Sequence, residues 1–568
     1  MSEQAVKTGH PKGLWVLFGT EMWERFNFYG MRAILTLFMV HALMLGESNA
    51  SIIYGGFLAL CYLTPLLGGF ISDKYLGNRN CILLGGSLMA IGQFLLFYSA
   101  TSYDTDLDLS KSVFWLGLFI IIFGNGFFKP NISSMVGSLY PPQEKTKLDS
   151  AFTIFYMGIN IGALLSQYFV PLFADVKVGK VQDPTVFKWG YLMACTAMII
   201  GTFVFLFLKN KYVVTPTGAP IGARPNKDAA SGEVVEQAKF SSKSIGLVGV
   251  LFVILFFVFR YLHVGEFGFT HFEIGTLVKG IIYPIIYGSG ISLAVLILLD
   301  STLTKVEIQR ILVIYIISFF IIFFWAAFEQ AGSSLTFIAS NQTDRFFLFG
   351  EMPASMVQIF NGLFVVFLAL PFSLLWDKLR ASGKEPISPM KQAIGLALIA
   401  LSYFIIAHNV KDLGNTGLLA IKWLILLYFI QTLGELCLSP IGLSLVGKLS
   451  PKRFASLLYG VFFISNAAGY ALAGTLGALI PATGDKFEMA EKMGVNLQDV
   501  LDKKVTLSVE QVKLFAEKQI ATEYPTFVGF TIHNLFEFFM VFVVLCGIAS
   551  LLLALLTPVL KKMMHGVR

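Results

Sequence analysis

Glu21-Met22-Trp23-Glu24-Arg25-Phe26-Asn27-Phe28-Tyr29-Gly30-Met31-Arg32 sets four charges, within about three turns of helix, inside a long apolar segment. An ion in hydrocarbon costs at least ~2.5 kcal/mol at the bilayer centre unless it faces a polar cavity or a partner. These four therefore point inward. At about 100° per residue, Glu21, Arg25, Phe28 and Arg32 share one stripe, with Glu24 about 60° to its side. One face of this helix reads as a charged, aromatic wall, and such a wall inside a membrane implies a path for something polar.

The rest of the chain supplies the membrane. Its 568 residues are 56% hydrophobic and 14% charged, with 55 Phe and 52 Gly, whereas soluble domains carry about 25% charged residues. Cys61, Cys81 and Cys195 lie in apolar segments, and the five cysteines show neither metal-ligand spacing nor an extracellular disulfide framework. A net charge of +7 would suggest nucleic acid in a soluble chain. Here the basic residues gather in the connections between spans, which the positive-inside rule explains, and no nucleic-acid partner is expected.

Apolar stretches long enough to cross ~30 Å of hydrocarbon recur at about 14–40, 51–76, 79–99, 112–138, 149–171, 187–208, 242–262, 275–299, 308–337, 354–376, 389–407, 417–448, 453–480 and 527–560. The polar start from Met1 to Lys12 runs directly into the first span, so no cleavable signal is expected. Lys7 and Lys12, Lys74 and Arg79, Lys145 and Lys147, the segment from Lys209 to Lys243, Lys305 and Arg310, Lys378 to Lys391, Lys452 and Arg453, and Lys561 and Lys562 fall on one side if the spans alternate. That side is predicted to be cytoplasmic, with both termini on it. Pro216, Gly218, Pro220, Gly222 and Pro225 mark a linker after six spans. Two charge-poor spans follow, then six more. The expectation is an all-α polytopic membrane protein with about fourteen transmembrane helices. Residues 1–208 are an N-terminal six-helix bundle, 209–241 a cytoplasmic linker, 242–307 an extra helix pair packed at the periphery in a structural role, and 308–568 a C-terminal six-helix bundle with an outer loop at about 481–524. Two six-helix bundles around a central cavity are one solution for secondary transporters.

Further polar groups fall inside spans. Gly68-Gly69-Phe70-Ile71-Ser72-Asp73-Lys74-Tyr75-Leu76-Gly77-Asn78-Arg79 reads as a tight turn, where glycines also allow close helix approach and Asp73 caps a helix end or pairs across the bundle; conformational control is its expected job. Gly124 to Ser133 buries Lys129 beside Pro130, whose missing N–H frees a carbonyl and is expected to bend the helix. Lys129 suits a carboxylate ligand or a switchable salt bridge, with snorkelling to an interface as the bland alternative. Tyr156 and Asn160, one turn apart, suit a peptide backbone or an interhelical hydrogen bond. Glu329 and Glu435 place carboxylates well inside later spans. Desolvation and neighbouring cations compete over the protonation of such carboxylates, the physical basis of a proton-driven switch; a structural buried ion pair is the alternative.

In order along the chain, Glu21-x-x-Glu24-Arg25-Phe26-x-x-Tyr29-Gly30, Gly69-x-x-x-Asp73, Phe127-Phe128-Lys129-Pro130-Asn131 and Phe152-x-x-Phe155-Tyr156-x-x-Ile159-Asn160-x-Gly162 resemble the proton-dependent oligopeptide transporter family, a branch of the major facilitator superfamily, in its bacterial six-two-six form. The resemblance implies a multi-pass cell-membrane protein of bacterial type that imports di- and tripeptides by proton symport and alternating access. The proton is the coupling ion, no other cofactor or metal is needed, membrane lipids are the surroundings, and no obligate protein partner is indicated. It further implies that Arg25, Arg32 and Lys129 meet the peptide carboxylate while Glu21, Glu24 and Glu329 join Arg25 in proton coupling. Glu435 would receive the amino group with help from Asn160 and Asn361. Phe28, Tyr29 and Tyr156 would complete the substrate site, and Gly69, Asp73, Lys74 and Pro130 would control conformation.

Three positions depart from the family pattern. Phe28 stands where many relatives have tyrosine, Gly362 follows Asn361 where proline is usual, and the candidate membrane histidines His408 and His533 lie outside the second span, which moves the expected proton chemistry onto carboxylates. A proton-driven exporter of the same architecture needs no charges aimed at both ends of a peptide. An importer of nitrate, amino acids or another small organic anion is the closer alternative. An enzyme is disfavoured by the lack of paired metal ligands, a Gly-x-Ser-x-Gly elbow or a Gly-Lys-Ser run, and a channel by the unlike buried charges in both halves.

Overall fold

The structure, a computed structural model, describes residues 9–140, 147–179, 181–215, 218–224, 240–269, 273–348 and 350–567. Lys7, Lys145, Pro216 and the stretch 225–239 of the expected linker lie outside the described residues, as do the side chains of Ser439 and Pro440.

Hydrocarbon offers the backbone no hydrogen-bond partners, so apolar segments of this length close their bonds within helices. They are α1 Lys12–His41, α2 Glu47–Ile71, α3 Asn78–Ser102, α4 Leu107–Ser138, α5 Leu148–Ala174, α6 Phe187–Tyr212, α7 Ser242–Val264, α8 Ile274–Leu277, α9 Tyr283–Leu298, α10 Lys305–Phe328, α11 Ser334–Asn341, α12 Ile359–Ala381, α13 Ser388–Val410, α14 Ile421–Leu449, α15 Ala455–Gly477 and α19 Leu535–Met563, with the short α16 Gly484–Lys492, α17 Leu497–Leu501 and α18 Val509–Glu517 between the last two. Helices α8 and α9 form one span and α10 and α11 another. Among the described residues, thirteen helical segments are long and apolar enough to cross a membrane. Helix α1 has the length for a fourteenth, its 30 residues rising about 45 Å, and stands apart because of its charges.

Two span boundaries differ from the sequence expectation for one reason. Leu419–Ala420 pairs in parallel with Thr343–Asp344, and Thr526–Phe527 pairs with Phe530–Thr531 in a hairpin. These apolar residues lengthened the hydropathy signal, yet their backbones bond to neighbouring chain, so α14 starts at Ile421 and α19 at Leu535.

The Gly68–Arg79 turn is also shorter than its glycines suggest. Helix α2 runs through Gly68 and Gly69 to Ile71, a wide π turn carries Ser72–Leu76, and Gly77 alone reverses the chain at φ +76°. That conformation suits a residue without Cβ.

By packing, the chain forms two compact units: Met1–Ile34 with Leu63–Gly232, and Leu35–Tyr62 with Glu233–Arg568. In the first, Leu14, Leu17, Ile82, Met89, Phe128, Ile132, Met198 and Phe205 share a buried core. Arg79, 7% exposed, ties the start of α3 to the chain leaving α6. It donates from Nε to the Ile221 carbonyl at 2.6 Å, from Nη1 to Asn210 at 2.9 Å, and from Nη2 to the carbonyls of Lys209 and Val213. The described beginning of the linker is thus strapped down.

In the second unit, the tip formed by the C-terminal end of α1 and the N-terminal end of α2 packs against later helices. The Tyr283 hydroxyl donates to the Ile52 carbonyl at 3.0 Å, and the Tyr62 and Tyr470 rings lie 4.6 Å apart. The first of these contacts joins α9, in the expected extra helix pair, to α2. The pair also buries Arg260, which donates to the Gly280 carbonyl at 3.0 Å and lies 4.1 Å from the Phe269 ring. Helices α16 to α18 have their own core of Ala490, Leu497, Leu501, Phe515 and Ile520.

Candidate functional site

In the first unit the site is built on α1, which is covered around most of its circumference. Glu21, Glu24 and Arg25 are all buried, and Arg25 Nε lies 2.9 Å from Glu21 Oε1 and 2.5 Å from Glu24 Oε2. The i to i+4 spacing brings Glu21 and Arg25 together on one helix face. One guanidinium serves two carboxylates, and Lys129 of α4 lies within electrostatic range of both. Glu21 is also within range of Tyr156 on α5. The Arg25 guanidinium is 5.8 Å from the Phe28 ring and Arg32 is 5.6 Å from the Tyr29 ring, so the aromatic part of the expected wall holds the cations by their side chains' faces.

Two close crossings place these groups. Helix α5 rests on α1 at Gly162, where a Cβ would meet the Met22 carbonyl and lie 3.0 Å from the Arg25 Cβ. That approach sets Asn160, partly covered, one turn beyond the half-exposed Tyr156. Pro130 has no N–H to give the Gly126 carbonyl. Helix α2 approaches that carbonyl at Gly68, and one turn earlier Thr64 donates its hydroxyl to the Ile122 carbonyl at 2.9 Å. Gly69 faces Pro130 across the same crossing, while Asp73 and Lys74 are exposed, Lys74 lying 5.4 Å from the Phe70 ring. The expected helix cap from Asp73 is not formed; the π turn begins without a side-chain cap.

In the second unit Glu329 sits where a span breaks. Helix α10 ends at Phe328, a 3-10 turn carries Glu329–Gly332, Ser333 takes φ −130° and ψ −100°, and α11 resumes at Ser334. Side chains satisfy the opened backbone: Thr336 donates to the Ala331 carbonyl at 2.7 Å and Thr36 to the Gly332 carbonyl at 2.9 Å. Gln330 donates to the carbonyls of Ala326 and Ala473 at 2.8 and 3.0 Å, and accepts from Ser334 at 2.6 Å. Glu329 is 3% exposed. On α14, Glu435 is partly covered and accepts from the Asn361 amide of α12 at 3.0 Å; the same amide lies 3.1 Å from the Thr432 hydroxyl. Helix α12 is continuous through Gly362.

Sequence reasoning missed several participants. Asn27 of α1 accepts from Gln93 of α3 at 2.8 Å, both fully buried, and Gln330 organises the break beside Glu329. Neutral amides gave no signal, because an amide inside a helix carries no charge that burial would make costly. His533, read as a membrane candidate, precedes α19 in an exposed position with Nδ1 2.8 Å from Glu537. The apolar hairpin before it had extended the span signal.

The profile of the POT family matches residues 79–492. The chain belongs to the POT family. It is 31% identical to a peptide transporter of Yersinia enterocolitica, YePEPT, over 85% of this chain and 90% of the relative. It is 32% identical to the di-/tripeptide transporter of Lactococcus lactis subsp. cremoris, over 82% of this chain and 88% of the relative. The crystal structure of a peptide transporter POT in complex with sulfate superposes with a TM-score of 0.72 at 26% identity, covering 99% of this chain and 98% of that one. A complex of such a transporter with alafosfalin gives 0.71 at 26% identity, with coverages of 99% and 98%. The family member described here is a polytopic all-α membrane protein of that fold.

Proposed function

We propose that the chain imports di- and tripeptides by proton-coupled symport and alternating access. The observation that carries this is the α1 cluster: Glu21, Glu24 and Arg25 share contacts at 2.9 and 2.5 Å under the field of Lys129. Two carboxylates and two cations sum to zero. One added proton leaves a net positive charge, which attracts a peptide carboxylate, so proton and substrate favour the same state. In this reading Arg25, Arg32 and Lys129 receive the carboxyl end, Glu435 with Asn361 receives the amino end, and Phe28, Tyr29, Tyr156 and Asn160 line the rest. Glu329, at the break in its span, shares the proton coupling with Glu21, Glu24 and Arg25. Gly69, Asp73, Lys74 and Pro130 control the inner connection. The N-terminal bundle 1–208, linker 209–241, pair 242–307 and C-terminal bundle 308–568 are the working parts, with both termini cytoplasmic in a bacterial inner membrane.

The test is uptake of a labelled dipeptide into proteoliposomes holding the purified protein under an inward proton gradient. Accumulation above the outside concentration that collapses with a protonophore is expected. Uptake of nitrate or free amino acids with no dipeptide uptake would assign the chain to a diverged branch.

A further inference from the structure

The outer segment after α15 is folded beyond what a loop needs. It has a buried core, and α18 opens with a capping box in which Ser508 and Gln511 exchange side-chain and backbone hydrogen bonds. Its first helix, α16, reaches the tip of α2. Lys486 Nζ lies 3.5 Å from Glu47 Oε1, with side chains 9% and 14% exposed, and also donates to the Lys518 carbonyl at 3.4 Å. The Glu47 Oε1 atom is fully buried. Gln519 packs on Gly46, and a cavity of about 370 Å³ lined by Glu47, Asn49, Pro481, Lys486 and Gln519 separates the two elements around the pair.

The tip is an unusual place for such an anchor. Residues 35–62 continue α1 and α2, whose inner parts belong to the first unit, yet they pack within the second. Any opening of the outer side that moves α1 and α2 as rigid helices must part Glu47 from Lys486. In the closed arrangement each ion has lost most of its water and is compensated by the other; once parted, both are hydrated again. Neutralising one partner leaves the other's charge poorly compensated in the closed arrangement only, which shifts the population towards the open one.

We propose that the segment from α16 to α18 is a latch, with Lys486 holding Glu47 and thereby the α1–α2 tip closed on the outer side until the transport cycle releases it. The inference rests on the alternating-access reading above. Ser51 reports the tip: it is fully buried on α2, its side chain packs where α15 has Gly477, and all five native cysteines are buried. The experiment measures the rate at which an impermeant maleimide labels Ser51→Cys from outside in proteoliposomes. Lys486→Gln or Glu47→Gln is expected to raise that rate about three- to tenfold, with the double variant no faster than either single. The exchange Glu47→Lys with Lys486→Glu is expected to bring it back within about twofold of the parent. If Lys486→Gln does not fold, Lys486→Met keeps the packed stem and removes the charge. Unchanged labelling in the single variants, or additive increases in the double, overturns the latch. Dipeptide uptake in the same vesicles separates the two readings: intact uptake with unchanged labelling removes the latch alone, whereas a parent without uptake removes the transport reading alone.

Discussion

In the proposed mechanism the chemistry turns on Arg25, because one guanidinium between Glu21 and Glu24, at 2.9 and 2.5 Å, cannot neutralise both and leaves the second carboxylate to Lys129 or to a proton. Glu24→Gln removes the charge that a proton would remove, so the cluster keeps its peptide-attracting state at all gradients. Gradient-driven uptake is expected to fall by about tenfold or more while peptide-for-peptide exchange persists, measured side by side in proteoliposomes. Equal loss of both would make Glu24 a binding or folding residue. At the other end, the proposed charge-assisted bond between Glu435 and a peptide amino group would contribute roughly 1.5–3 kcal/mol, or about one to two decades of affinity. Blocking the amino group of a dipeptide is expected to cost that much in the parent and little more in Glu435→Gln, read by competition at matched internal and external pH; fully additive losses would exclude Glu435 as the anchor. The charged residues were legible because hydrocarbon leaves an ion few roles. Asn27, Gln93 and Gln330 were not, since a buried neutral amide needs only a nearby partner to be ordinary. Arg79 was legible as a basic residue near a span end, whereas its four acceptors come from chain 130 or more positions away.

Helices were the most legible elements, because a bilayer fixes both their length and their composition. Where polar chemistry interrupts that pattern, the sequence alone was insufficient: Lys305–Asn341 reads as one apolar span, and the break at Glu329–Ser333 depends on Thr36, Thr336 and Gln330 meeting its backbone. Helix contacts give sharper tests than helix lengths. Gly162→Leu forces a side chain into the Met22 carbonyl and the Arg25 Cβ, an overpacking expected to cost about 1–3 kcal/mol and to lower the thermal unfolding midpoint in detergent. An unchanged midpoint would mean that α1 and α5 do not pack there. Between α12 and α13, Glu385 accepts from Arg380 at 2.8 Å and from Lys391 at 2.6 Å. The Arg380 hydrogen bonds, then those of Lys391, hold its carboxyl down to about 2. A carboxyl depressed by folding stabilises the fold above its unfolded value of about 4.3, and that contribution disappears as pH falls through about 2. Glu385→Gln is therefore expected to lower the unfolding midpoint at pH 7 and to converge with the parent at the acid end of the scan; parallel curves throughout would show that the carboxylate is not linked to folding.

At the scale of the whole molecule, counting apolar segments gave an expected division into six, two and six spans, whereas the packing of residues 35–62 with the second unit depends on contacts far apart in sequence, such as Tyr283 with Ile52 and Tyr62 with Tyr470. No local pattern announces such a contact. What the sequence does carry at this scale is charge asymmetry. Lys12, Lys74, Arg79, Lys209, Lys305, Lys378, Lys452 and Lys561 recur at alternate connections, and the proposed orientation rests on the tendency of basic residues to be retained near the cytoplasm during insertion. In the proposed orientation, the folded segment of α16 to α18 stands on the side from which peptides arrive, and the start of α7 lies inside. Lys513 on α18 and Lys243 at the start of α7 are both exposed, so cysteines there test the scheme without disturbing packing. In intact cells an impermeant thiol reagent is expected to label Lys513→Cys at once and Lys243→Cys only after the membrane is permeabilised. The reverse pattern would turn the molecule over, place the α1 cluster under an outward gradient, and convert the proposed importer into an exporter.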